Sequence, residues 1–233
     1  AYFLEPDGTK LRFSVGSAVN LPTFNQWVGT GGFPPGDLDL DPEESLSGEV
    51  GIDLPLNDEG SILTLNYFHR TIDGFIRFPP NSLTEPPRQF DAFRTHGPEF
   101  TLEQALTPRL SMTATGALLF SDISGGSEPL QVPDETASLA FDYSPYEDWN
   151  GRLSLRYSGK KTDYTTESTP ALRRKVQLDD YVVVNATGQI PLSSKRNYSL
   201  GIRLENLLDQ QYENEYGFET PDRSVYVTLR STF

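Results

Sequence analysis

Apolar and polar residues alternate along this chain with a period of two, and that rhythm restricts its fold more than any other feature. Tyr198, Leu200, Ile202 and Leu204 interleave with Ser199, Gly201, Arg203 and Glu205. The last segment repeats the pattern, with Val225, Val227, Leu229 and Phe233 set against Tyr226, Thr228, Arg230 and Thr232. Earlier segments do the same: Leu46, Val50, Ile52 and Leu54 against Ser47, Glu49, Gly51 and Asp53, and Leu153, Leu155 and Tyr157 against Arg152, Ser154, Arg156 and Ser158. Ala137, Leu139, Phe141 and Tyr143 likewise oppose Thr136, Ser138, Ala140 and Asp142. Successive side chains of a strand point to opposite faces, so each segment has one apolar and one polar face. A soluble sandwich also alternates, but here Arg, Glu and Asp stand in mid-strand, and aromatic residues gather toward the strand ends. That distribution suits a membrane barrel, apolar toward lipid and polar toward a wet lumen, with aromatic girdles at the interfaces.

The connections alternate as well. Short ones fall at Asn57-Asp58-Glu59-Gly60, Leu106-Thr107-Pro108, Ser144-Pro145-Tyr146-Glu147-Asp148 and Leu192-Ser193-Ser194-Lys195, and long ones at about 19–44, 72–88, 122–134, 162–177 and 206–222. Short periplasmic turns alternating with long extracellular loops mark an outer-membrane barrel. The pattern predicts about ten strands, at 9–18, 45–55, 61–71, 89–105, 109–121, 135–144, 151–161, 179–190, 197–206 and 223–233. Residues 1–4 read as the end of one more. Pro22 and the polar residues around Trp27 allow a short helix in the first long loop. The expected fold class is all-β, an antiparallel transmembrane β-barrel. A small barrel of even strand number, closed on itself and carrying a surface hydrolase, and a soluble carbohydrate-binding β-sandwich are the alternatives.

Composition removes other classes. Hydrophobic residues are 36% of the 233, and no run approaches the roughly 18 consecutive apolar residues of a spanning helix. Cysteine is absent, which excludes disulfide frameworks, zinc–thiolate sites and thiol catalysis. The formal net charge of −14 speaks against nucleic acid as a partner, because neutralising phosphates needs a basic face. The first residues, Ala1-Tyr2-Phe3-Leu4-Glu5-Pro6, lack the basic start and apolar core of a signal peptide and read as the middle of a longer protein.

Several stretches resemble, in order, the TonB-dependent outer-membrane receptor family. Phe13-Ser14-Val15-Gly16-Ser17-Ala18-Val19-Asn20-Leu21-Pro22 looks like the strand that the family ends at a Pro corner. Asp37-Leu38-Asp39-Leu40-Asp41-Pro42-Glu43 is similar to the segment before a downward strand bearing a Glu, here Glu49. Asn66-Tyr67-Phe68-His69-Arg70 with Ile72-Asp73-Gly74-Phe75-Ile76, and Gly97-Pro98-Glu99, resemble two further motifs. Leu204-Glu205-Asn206-Leu207-Leu208-Asp209-Gln210-Gln211-Tyr212 and the final Asp222-Arg223-Ser224-Val225-Tyr226-Val227-Thr228-Leu229-Arg230-Ser231-Thr232-Phe233 resemble the family's end, with Asp222 where Gly is usual.

The resemblance implies that residues 1–233 are the C-terminal part of a barrel of about 22 strands whose lumen is plugged, with no plug domain in this chain. It implies active uptake of a scarce nutrient, a ferric siderophore first, across the outer membrane of a Gram-negative bacterium, without catalysis and without a cofactor. The implied partners are outer-membrane lipid and lipopolysaccharide, the barrel-assembly machinery, and the inner-membrane TonB complex through N-terminal parts this chain does not contain. Phe233, closing the last strand, is the implied assembly signal.

Candidate ligand contacts lie in the long loops. Among the loop aromatics Phe24, Trp27, Phe33, Phe78, Tyr164, Tyr216 and Phe218, flat side chains could pack on a chelate; Arg173-Arg174-Lys175 is the strongest basic run. Trp27, Phe78, Tyr164, Arg173 and Arg174 are taken as the binding set. The acidic run Asp37, Asp39, Asp41, Glu43 and Glu44 has oxygens enough for Ca²⁺, but its spacing departs from an EF-hand, and it reads as a solvated loop with no metal. His69 and His96 fall by parity on the lipid face without a neighbouring Ser and carboxylate, so no catalytic residue is expected. Deleting Phe233 is expected to lower the fraction of folded, heat-modifiable protein in the outer membrane while leaving ligand affinity of the folded remainder unchanged. An undiminished folded fraction on gels would remove the assembly role.

Overall fold

The computed structural model describes residues 2–4, 8–29, 31, 34–57, 60–79, 84–125, 128–146, 148–165, 173–192 and 197–231. Its strands are β1 (Tyr2–Leu4), β2 (Thr9–Asn20), β3 (Glu43–Pro55), β4 (Ile62–Arg77), β5 (Arg88–Thr107), β6 (Leu110–Leu118), β7 (Phe120–Ile123), β8 (Glu135–Tyr143), β9 (Asn150–Ser158), β10 (Lys161–Tyr164), β11 (Lys175–Leu178), β12 (Tyr181–Pro191), β13 (Tyr198–Glu205), β14 (Glu213–Glu215), β15 (Phe218–Glu219) and β16 (Ser224–Ser231), with one helix, α1 (Phe24–Val28). One sheet runs in the order β1-β2-β3-β4-β5-β6-β8-β9-β12-β13-β16, with β7 beside β5. Every pairing among the described residues is antiparallel, as short turns and returning loops require.

The register carries the period-two pattern into two continuous faces. On one, Phe13 stands opposite Val50, Val50 opposite Tyr67 and Tyr67 opposite Pro98. Farther along, Leu139 meets Leu155, Leu155 meets Val184, Ile202 meets Val227 and Leu200 meets Leu229. Phe13 and Val15 are each 77% exposed and Val227 67%, so this face is an apolar surface open to its surroundings, as lipid contact demands.

On the other face, charges and hydroxyls pair along the wall. Arg12 donates to Asp53 (2.9 Å) and Asn66 (3.0 Å), and Thr64 donates to Asp53 (3.0 Å). A Cβ on Gly51 would lie 2.1 Å from Asn66 Oδ1, so glycine makes room for this cluster. Arg152 grips both oxygens of Asp142 at 3.0 and 2.9 Å, and Thr115 and Ser138 share a 2.7 Å hydrogen bond. The polar face is the lumenal wall.

The motifs of the sequence hold the outer end together. Gln89 Nε2 donates to the carbonyls of Asp41 and Gly74, both at 2.9 Å, while Glu43 accepts from the Ile76 amide at 2.8 Å. The segment 37–43 is thereby lashed across β4 and β5. Gly74 has φ +68, and a Cβ there would meet Gln89 Nε2 at 2.8 Å. Asn206, buried with φ 51, takes the Gln210 amide on its side-chain oxygen and gives its amide protons to the carbonyls of Gln210 and Pro221. Asp209 then accepts from the Arg223 amide, aligning the entry to β16.

The predicted strands appear, with differences. β4 continues six residues beyond its expected end at 71, because the Gln89 and Glu43 contacts hold its outer part. The segment 109–121 divides into β6 and β7 at Leu119, whose amide turns to Asp134. The loops at 162–177 and 206–222 contain the hairpins β10-β11 and β14-β15. The expected short helix is α1, capped by a reciprocal Thr23–Gln26 pair. The one twelve-stranded sheet, with only two small loop hairpins beside it among the described residues, overturns the sandwich alternative, and β1 and β16 do not pair with each other among the described residues, which overturns closure of this chain into a small barrel. Phe33 and Phe233 lie outside the described residues. A fluorophore placed at position 202 in bilayers is expected to be quenched by brominated acyl chains, and one at position 203 spared; the reverse result would invert the face assignment.

Candidate functional site

The outer ends of the strands carry the groups from which a binding surface can be built. Three long connections, 118–135, 158–181 and 205–224, form one unit around Asp163. This carboxylate is 6% exposed and accepts from the backbone amides of Tyr164 and Tyr216, each at 2.8 Å, with Gln131 Nε2 at 3.4 Å. The Gln131 amide in turn donates to the Thr162 carbonyl at 2.8 Å. Each of the three loops thus contributes to one buried acceptor.

Around it, Tyr181 stacks on Tyr212 with ring centroids 4.1 Å apart and gives its hydroxyl proton to Asn214 (2.8 Å). Lys161 is 7% exposed, and its ammonium reaches Asn214 Oδ1 at 3.4 Å and lies 5.9 Å over the Tyr181 ring. Burial pushes the Lys161 pKa down, while Asp163 and Glu215 pull it back up. Glu128 accepts from Lys175 and Thr162, which hold its carboxyl below its ordinary range. That contribution to loop order is present above the ordinary carboxylate pKa and is lost as pH falls through the depressed one. Arg77, at the outer end of β4, donates to the Glu128 carbonyl at 3.1 Å and ties the 77–88 connection to the same unit.

The structure brings part of the expected binding set together. Tyr164 is half-buried on β10, and its strand pairs with β11 so that Tyr164 faces Lys175. Arg173 is half-buried and Arg174 exposed, and the Arg174 backbone closes the hairpin through two 2.9 Å bonds with Thr165. Phe78 is half-buried where the chain leaves β4, next to Arg77. Trp27 is elsewhere: it belongs to α1, and its indole N–H is committed to the Leu40 carbonyl at 3.3 Å. A Cβ on Gly36 would lie 2.2 Å from the Trp27 carbonyl, so Trp27 closes its own loop. Among the described residues no ring contact, hydrogen bond or ion pair joins Trp27 to the other four.

Sequence reasoning did not single out Asp163, Lys161, Tyr181 or Asn214. Their signal was slight: one charge beside one aromatic in a loop looks like any solvated turn until the loops fold together.

Two other clusters have plain roles. His69 and His96 stack at 5.8 Å on the apolar face, with Phe120 5.4 Å from His96 and the Tyr67 hydroxyl 2.8 Å from its Nδ1. Aromatic rings with polar edges at one level fit the boundary between hydrocarbon and headgroups. In the acidic run, Asp37 caps the Asp39 amide at 2.9 Å and Glu43 is bound to Ile76 and Asn20; among the described residues no three carboxylates or imidazoles are placed to hold a metal.

Comparison with known proteins places this arrangement. A family model described as TonB dependent receptor-like, beta-barrel, matches residues 3–207. The metal-pseudopaline receptor CntO of Pseudomonas aeruginosa is 26% identical over 183 residues, covering 74% of this chain and 25% of that receptor. The pyoverdine outer membrane receptor FpvA of the same species superposes with a TM-score of 0.75 at 17% identity, over 97% of this chain and 34% of FpvA. The copper transporter OprC superposes with a TM-score of 0.80 at 17% identity, over the whole chain and 38% of OprC. The chain therefore spans about a quarter to two-fifths of the lengths of these relatives. It belongs to the TonB-dependent receptor β-barrel family, a family of transport receptors rather than enzymes, in the outer membrane of Gram-negative bacteria.

Proposed function

We propose that this chain is the C-terminal wall of a transporter that takes up an anionic metal chelate, a ferric siderophore in the first instance. The observation that carries the reading is the rigid outer unit around Asp163, which presents Tyr164, Arg173 and Arg174 on one hairpin. Binding groups on loops can vary while a fixed scaffold holds them, and here the loops are themselves fixed to one another. A local basic spot on a chain of net charge −14 attracts an anion where the remaining surface repels it. The relatives support a chelate: one is named for metal-pseudopaline and another for pyoverdine. The first of these names a metal without specifying iron, which supports a second reading, uptake of a chelate of another metal.

On this proposal the loops capture the chelate and parts of the transporter beyond residues 1–233, engaged by the inner-membrane TonB complex, drive its release inward. The barrel-assembly machinery inserts the wall, and lipopolysaccharide surrounds its outer rim. Trp27 and Phe78 enter as contacts at the edge of the site, Trp27 through its ring face alone.

Replacing both Arg173 and Arg174 by Ala in the full-length transporter is expected to weaken binding of a ferric siderophore about tenfold at low salt and less at high salt, where screening is stronger. A titration at two ionic strengths decides: equal affinity for mutant and wild type at both would make the pair ordinary surface. Tight binding of another metal's chelate with none of the ferric ones would move the assignment to the second reading. Asp163→Ala should leave two half-buried backbone amides without their acceptor, at a cost of up to about 1–3 kcal/mol, and loosen three loops together. The expected result is faster proteolysis in all three with the barrel still heat-modifiable; cleavage confined to 158–181 would mean that Asp163 does not join them.

A further inference from the structure

β4 and β5 bring two imidazoles together on the outward face of the sheet. His69 stands directly opposite His96 in the register, where side chains of an antiparallel pair lie closest. Their rings stack at 5.8 Å, and Phe120, from β7 on the other side of β5, stacks on His96 at 5.4 Å. The Tyr67 hydroxyl lies 2.8 Å from Nδ1 of His96, and the Thr71 hydroxyl 3.4 Å from Nε2 of His69. When Nδ1–H of His96 donates to the phenol oxygen, Nε2 keeps its lone pair, because the bond at one ring nitrogen fixes what the other can bind. His69, exposed and at a long distance from Thr71, can turn toward that lone pair by rotation about χ2. The pair also spans a weak seam. β5 pairs with β7 from Phe93 to His96 and with β6 from Glu99 onward, and Gly97 and Pro98 make no ladder pair on that side. Pro98 has no amide proton to give, and the Leu119 amide is turned to Asp134. Farther out on the same face, four residues beyond His69, Asp73 stands directly opposite Glu44, and like charges so opposed repel.

We propose that His69 and His96 form a bidentate site for a divalent transition-metal ion, Cu²⁺ before Zn²⁺, which clips β4 to β5 at this seam. Nε2 of His96 is one ligand atom, a ring nitrogen of His69 is the other, and water completes the coordination. Imidazole suits copper and zinc, and affinity among divalent first-row ions peaks at Cu²⁺. Mg²⁺ and Ca²⁺ want oxygen ligands and gain nothing here. A cation fits these groups better than an anion does: imidazole lone pairs are acceptors, and the guanidinium next along this face, Arg94, is turned to Asp122 at 3.8 Å. Glu44 and Asp73, on a chain of net charge −14, raise the local concentration of cations. Two protein ligands make a weaker site than the three or four of a resident zinc, so the ion comes and goes with its supply outside the cell. The inference rests on the assignment of the outward face and not on the choice of chelate.

The test titrates CuCl₂, with no chelate present, into the full-length protein in vesicles and compares it with His69→Gln and His96→Gln. Electron paramagnetic resonance should show bound Cu²⁺ with two nitrogen ligands in the wild-type protein, and each variant should lose that signal. Tyr67→Phe, which unties the His96 ring, should bind about tenfold more weakly. Excess Cu²⁺ or Zn²⁺ should raise the temperature of heat-modification by a few degrees in the wild type alone, EDTA should reverse the rise, and MgCl₂ should cause none. If a variant does not insert, labelling of the wild-type protein by diethyl pyrocarbonate decides, since Zn²⁺ should slow modification of His69 and His96 together. Equal copper binding by wild type and both His variants would overturn the proposal, as would labelling that Zn²⁺ leaves unchanged. Loss with His96→Gln but not with His69→Gln would leave one imidazole and no clip. A rise in heat stability produced by phosphate-bearing glycolipid and not by metal would give the histidines to the headgroups instead.

Discussion

Hydrocarbon offers no partner to a backbone amide or carbonyl, and everything else in this chain follows from meeting that demand within one sheet. Antiparallel ladders between neighbours in the sheet satisfy it, and the ladder in turn sends alternate side chains to lipid and to water. A register slip of one residue would exchange the faces and put Arg203 or Arg152 into hydrocarbon, at about 2–4 kcal/mol for each charge near the midplane. Register is therefore tightly held by the bilayer itself. The few places where the ladder is interrupted have local substitutes. At Leu119 the amide finds Asp134, and Gly97 leaves room for the Leu118 carbonyl, from which a Cβ would stand 1.8 Å.

The two faces solve different problems. On the lipid side the apolar groups need no partner, and the polar edges of Tyr67 and His96 meet each other. On the lumenal side several charges are placed where a neighbour across the ladder reaches them, as with Arg12, Asp53, Asn66 and Thr64. Such half-exposed pairs contribute modestly to stability. Their larger effect is to fix where neighbouring strands place their polar groups along the wall.

Legibility in the sequence followed the physics of each part. Strands such as β3, β9, β13 and β16 were plain because the bilayer enforces period two at every residue. The outer extension of β4 was not, because it depends on Gln89 and Glu43, which are distant in sequence from the residues they hold. The break between β6 and β7 was invisible for the same reason. Of the binding set, Tyr164, Arg173 and Arg174 proved to share one hairpin, since a basic run and an aromatic close in sequence remain close in space. Trp27 looked alike in composition yet stands apart from that hairpin, its indole N–H held by the Leu40 carbonyl, and no local pattern reveals that contact. The Asp163 unit needed three loops to meet, and no local pattern encodes such a meeting.

Asp163 holds its neighbours by their main chain. Tyr164 and Tyr216 are bound through amide nitrogens, which every residue but proline possesses, so the identity of the side chains at those positions is not tied to the fold. Substitution at those positions can therefore rewrite what the surface displays while the frame beneath stays as it was. Separating display from support in this way lets a receptor drift in specificity without first passing through an unfolded ancestor.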